Sequence, residues 1–167
     1  MKKCFFFVLL AVLLSSCSLS YKFNGASIDY SLTKTILISE FPNQAPLVYP
    51  PLEQRFNEEL KDLFTRSTRL QFVRQNADLE MEGEIVGYEL TPLAVQEDSF
   101  ASETRLTLTI RMRYRNNKEE GKDQEQSFSA YRNFPADRML TDVQDQLIGE
   151  LVKEIVDQIF NATMSNW

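Results

Sequence analysis

From Thr104 to Tyr114 the chain alternates strictly. Leu106, Leu108, Ile110, Met112 and Tyr114 fall in one phase, and Arg105, Thr107, Thr109, Arg111 and Arg113 in the other. Successive side chains on a strand point to opposite faces, so this run predicts a strand with one face on a core and one in water. Leu79 to Leu90 begins the same way, with Leu79, Met81, Gly83 and Ile85 sharing a face. Tyr88 and Leu90 then take the opposite phase, and the switch beside Gly83 and Gly87 predicts a β-bulge. The polar run from Asn116 to Lys122 predicts a hairpin loop. A returning strand from Gln124 to Tyr131 follows, with Phe128 and Ala130 on one face. These three segments form an antiparallel meander with a solvated outer face.

Two segments carry helical spacing instead. Leu52, Phe56, Leu60, Leu63 and Phe64 recur on one side of the stretch from Leu52 to Thr68, with Glu53, Glu58, Glu59 and Lys61 around the other. Pro51 suits the first turn of that helix, where a missing N–H costs little. Val143, Leu147, Ile148, Leu151, Val152, Ile155 and Ile159 predict a second helix from about Arg138 or Thr141 to Ala162, and Thr141 with Gln144 can form a capping box. Ahead of the first helix, Lys34 to Glu40 reads as a strand centred on Thr35-Ile36-Leu37-Ile38, followed by a loop with Pro42, Pro46, Pro50 and Pro51. Leu70 to Val73 reads as a short extended segment or the end of the helix turn. The order is β-α-β-β-β-α. It predicts an α+β two-layer sandwich with two helices on one face of a four-stranded, largely antiparallel sheet.

The first residues have a different character. Lys2 and Lys3 precede a continuous apolar run from Cys4 to Leu14, which is too short for a permanent membrane span and reads as a secretory signal. Leu14-Ser15-Ser16-Cys17 follows at once and resembles the lipobox of bacterial lipoproteins, in which the cysteine becomes the lipidated first residue. The expected organisation is a removed signal over 1–16, a lipidated tether over 17–30 and a single domain over 31–167. Cys4 leaves with the signal and Cys17 carries lipid, so neither of the two cysteines remains for a disulfide, and stability must come from a packed core. Several acyl chains on one cysteine meet the requirement for stable anchoring to a membrane. Ser18 stands after the cysteine where no aspartate is found, which by the sorting rule of well-studied lipoproteins favours the outer membrane. The absence of an acidic cluster from Ser18 to Phe23 favours its periplasmic side.

Composition narrows the chemistry further. The chain has no histidine, which removes histidine bases, Ser-His-Asp triads and the commonest zinc ligand. No glycine-rich phosphate loop occurs, and no cofactor or metal site is expected. The net charge of −6 becomes more negative once Lys2 and Lys3 are removed, so nucleic acid is a poor partner. An enzyme built on carboxylates, such as a cell-wall hydrolase, stays open as an alternative; so does a stand-alone periplasmic lipid-binding lipoprotein.

Taken along the mature chain, several features resemble the LptE family of lipopolysaccharide-assembly lipoproteins. They are Tyr21-Lys22-Phe23-Asn24-Gly25 soon after Cys17, the proline-rich loop, the element order, Leu79-Glu80-Met81-Glu82-Gly83-Glu84-Ile85, Arg105-Leu106-Thr107-Leu108-Thr109-Ile110, and Ile159-Phe160-Asn161 through Asn166-Trp167. The resemblance implies a non-enzymatic protein without cofactor, which sits in and plugs the outer-membrane β-barrel LptD and binds lipopolysaccharide during delivery to the outer leaflet. Arg105, Arg111 and Arg113 share the wet phase of one strand, with Arg115 just beyond. Arginine forks suit phosphate, so these four are the candidate lipopolysaccharide-binding residues. The competing reading pairs them with neighbouring carboxylates such as Glu125.

Overall fold

Pro50 and Pro51 open the first helix from its N1 and N2 positions, as a residue without an N–H can do at no cost in hydrogen bonds. In this computed structural model, which describes residues 28–93 and 102–164, that helix, α1, spans Pro50–Ser67. It follows strand β1 (Thr35–Ile38) and leads into β2 (Gln71–Phe72), then β3 (Leu79–Leu93), β4 (Glu103–Asn116), β5 (Gln124–Pro135) and helix α2 (Leu140–Met164). Cys17, expected to carry lipid, Tyr21 to Gly25, and the terminal Asn166-Trp167 lie outside the described residues.

The strands form one sheet in the order β2-β1-β3-β4-β5. β1 runs parallel to both β2 and β3, whereas β3, β4 and β5 are antiparallel neighbours. The α+β two-layer class holds, with a five-stranded mixed sheet in place of the expected four strands. The extra strand is the two-residue β2, which is too short to show a period. The parallel β1–β2 pair requires a crossover, and α1 supplies it. The predicted bulge is present: the β3–β4 register shifts between Ile85 and Gly87, which returns Tyr88 to the inner face.

The core lies between the sheet and the two helices. Leu106, Leu108, Ile110 and Met112 of β4 are fully buried, as are Phe56, Leu60 and Phe64 of α1 and Ile148, Leu151, Ile155 and Ile159 of α2. The Phe41 ring stacks 5.3 Å from Phe56 and occupies the space beside Gly83, where an added Cβ would lie 2.3 Å from Phe41 Cε1. Buried Asn57 ties the proline-rich loop to α1. Its Oδ1 accepts from the Phe41 N–H at 2.9 Å, and its Nδ2 donates to the carbonyls of Phe41 and Glu53. The capping box does not form: α2 begins at Leu140, and Gln144 Nε2 donates instead to the Tyr88 hydroxyl at 2.6 Å. At the β5 edge, Arg132 reaches Glu150 and Glu154 of α2 at 2.9 and 2.8 Å, which fastens the helix to the last strand.

Asp78, just before β3, joins three parts of the chain. Its Oδ2 accepts from the N–H groups of Lys34 and Thr35 at 2.8 and 3.0 Å, and Oδ1 meets Lys118 Nζ of the β4–β5 loop at 3.0 Å. The Lys34 N–H is the largest influence holding this carboxyl well below the usual carboxylate range, against the opposing effect of burial.

Candidate functional site

The outer face of the sheet carries the charge. Register sets which residues meet: Glu80 stands opposite Arg115, Glu82 opposite Arg113, and Glu84 opposite Arg111. On the other side of β4, Arg113 faces Glu125 and Arg105 faces Asn133. The four predicted arginines therefore do share one face, together with Glu80, Glu82, Glu84 and Glu89 of β3, Glu103 of β4 and Glu125 of β5.

Three of the four are engaged by carboxylates. Arg111 Nη1 lies 3.1 Å from Glu84, Arg115 Nη1 lies 3.1 Å from Glu80, and Arg113 spans Glu82 at 3.3 Å and Glu125 at 3.1 Å. Directly opposed cross-strand pairs of opposite sign favour the pairing of these strands. The Glu125 hydrogen bond is the main reason the Arg113 guanidinium is held above its ordinary pKa. These pairs are exposed, so each contributes little to stability, and a competing anion can contact the same guanidinium.

Arg105 is different. Its Nε donates to Asn133 Oδ1 at 3.1 Å, and its guanidinium stacks over the Tyr131 ring with Cζ 4.0 Å from the centroid. Asn133 Nδ2 in turn donates to Glu103 at 3.0 Å. Arg105 has no ion pair among the described residues, and its two terminal nitrogens carry no hydrogen bond there. Between Arg105 and the paired arginines lies a low strip of small hydroxyl residues, with Thr109 and Ser129 hydrogen-bonded at 3.0 Å.

The family model described as LptE, lipopolysaccharide-assembly, matches residues 33–163, which take in every described strand, α1 and all of α2 but its last residue. The chain belongs to the LptE family. All four arginines lie within the matched span, whereas Cys17 precedes it. Solved structures agree on the fold. Lipoprotein B from Nitrosomonas europaea is 18% identical with a TM-score of 0.53, and the alignment covers 76% of this chain and 79% of that one. Rare lipoprotein B from Shewanella oneidensis is 15% identical with a TM-score of 0.51, covering 75% of this chain and 92% of its own. A protein from Xanthomonas campestris reaches a TM-score of 0.52 at 10% identity, over 79% of this chain and 84% of that one. No curated protein sequence matches significantly.

The glutamate stripe Glu80, Glu82 and Glu84 was visible as the polar phase of β3, but its partners depend on register. Tyr131 and Asn133 were not singled out by the sequence. Their signal was an aromatic at a polar-phase position of β5, directly opposite Thr107. Among the described residues no helix is long and apolar enough to cross a membrane.

Proposed function

We propose that this LptE-family chain is exported, cut before Cys17 and held by lipid on that residue at the periplasmic side of the outer membrane. Residues 1–16 are the removed signal, 17–30 the tether and 31–167 the working domain. There it assembles with and plugs an LptD-like β-barrel and binds lipopolysaccharide during delivery to the outer leaflet. The role is binding and assembly rather than catalysis. The observation that carries this reading is the family match across the whole folded domain.

Physical chemistry supports the division of labour. The space between sheet and helices is filled by buried side chains such as Leu60, Leu108 and Leu151, which leaves the outer sheet face and loops for partners. On that face Arg105, Arg111, Arg113 and Arg115 supply forks for the anionic groups of lipopolysaccharide. Arg105 meets them directly. The other three do so by exchanging exposed carboxylate partners, which costs little at a surface.

Depletion in the native cells, followed by labelling of surface lipopolysaccharide with a membrane-impermeant reagent, tests the reading. Surface label should fall while lipopolysaccharide accumulates internally. Undiminished surface label after depletion contradicts the reading.

A further inference from the structure

The outer face contains a small arrangement that the phosphate reading of the arginines does not use. Tyr131 is 53% exposed on a strand face otherwise made of polar and small residues. Its ring is stacked by Arg105, and Arg105 is turned by Asn133, which is itself fixed by Glu103. An exposed aromatic ring provides an apolar plane, and the adjacent guanidinium provides two terminal nitrogens that carry no hydrogen bond among the described residues and whose direction is already set. Arg111, Arg113 and Arg115 lack that combination, because each is directed at a glutamate and no aromatic ring is stacked on it.

A plane of C–H groups beside an anion is the chemistry of an acidic sugar. We propose that Arg105, Tyr131 and Asn133 form a subsite for a pyranose ring bearing a carboxylate or a phosphate. The ring lies against the face of the Tyr131 phenol turned away from Arg105, its anion reaches past the ring edge to the Arg105 fork, and the Thr107 and Thr109 hydroxyls lie within the same strip for its hydroxyl groups. Asn133 is a positioning residue: it holds the guanidinium through Nε and leaves the terminal nitrogens outward. This rests on the lipopolysaccharide reading above and narrows it, assigning this end of the face to the saccharide portion rather than to acyl chains.

The test uses the full chain in mild detergent, titrated by calorimetry with the delipidated core oligosaccharide of a rough-type lipopolysaccharide. Arg105→Gln and Tyr131→Ala should each weaken binding about tenfold, the scale of one lost charge-assisted contact. Tyr131→Phe, which keeps the ring, should bind within about twofold of the parent, and Lys153→Gln, an exposed change on α2 away from this face, should change little. The Arg105 Nε–H resonance should shift on titration in the parent and not with neutral maltotriose. Loss of binding after dephosphorylating the oligosaccharide assigns the anion as phosphate, and loss after reducing its carboxyl groups assigns it as carboxylate. The proposal is overturned if neither treatment matters, or if Arg105→Gln binds like the parent. If intact lipopolysaccharide still binds in that case, only the subsite falls. If intact lipopolysaccharide does not bind the parent chain at all, the broader reading falls with it.

Discussion

Replacing Asp78 by alanine removes one side chain that connects the start of β1, the start of β3 and the β4–β5 loop. The carboxylate accepts two backbone N–H bonds at 2.8 and 3.0 Å and one lysine contact at 3.0 Å, and its side chain is only 15% exposed. A hydrogen bond to a charged group contributes roughly 1.5–3 kcal/mol when well buried, and about 1 where water can replace the lost partner. Lys34 is exposed and Lys118 nearly half exposed, so the lower figure applies to the N–H bonds and the lysine pair adds a few tenths. The expected loss for Asp78→Ala is about 2 kcal/mol, or about 4–8 °C in Tm for a chain of this size. Asp78→Asn keeps a carbonyl acceptor for the backbone and should lose less. The pH dependence separates charge from shape. The folded carboxyl has a depressed pKa, so its charge stabilises the fold fully above the ordinary carboxylate range. That contribution fades as pH falls from about 4 through the lower folded value. Urea unfolding of the parent and the Asn variant should therefore show a gap at pH 7 that narrows below about pH 4. An alanine variant as stable as the parent, or a gap constant across that range, refutes this account of the junction.

Gly83→Ala places a Cβ 2.3 Å from both the Arg111 carbonyl oxygen and Phe41 Cε1, and should cost about 2–3 kcal/mol by denaturant titration. Adding Phe41→Leu should recover less than half, because the backbone contact remains; full recovery would show that only the ring matters. Changing Glu80, Glu82 and Glu84 together to glutamine releases Arg111 and Arg115 from their carboxylates and leaves Arg113 only Glu125. Lipopolysaccharide binding should rise several-fold at low salt and return toward the parent value at high salt, and an unchanged affinity contradicts a binding role for these arginines. Intact mass of the purified parent should show a chain beginning at Cys17 with added acyl mass. The Cys17→Ala chain should carry none, and an unlipidated parent would remove the anchor.

The alternation of β4 made the core face and the wet face legible, because a half-buried strand states its orientation at every second residue. The bulge was legible for the same reason: Tyr88 and Leu90 broke the phase that Leu79 to Ile85 had set, and the register shifts there. β2 was legible only as one of two alternatives, a short extended segment or the end of the helix turn over Leu70 to Val73. Two residues carry no period, and Gln71–Phe72 is a strand only because β1 lies beside it. Thr141 and Gln144 had the right spacing for a cap, but a tertiary partner decided the matter, since Tyr88 claims Gln144. The arginines shared a face as periodicity required. Which of them were paired depended on register across β3 and β5, information that lies between strands and not along one. Of these four, Arg105 thus emerged as the one with neither terminal nitrogen hydrogen-bonded among the described residues.

The central claim is partnership with a β-barrel. It is tested most directly by purifying the tagged full chain from its native outer membrane in mild detergent and identifying co-purifying proteins by mass spectrometry. The account predicts a large outer-membrane barrel protein in one-to-one amount. Recovery of the lipoprotein alone, under conditions that keep other barrel complexes intact, would contradict it.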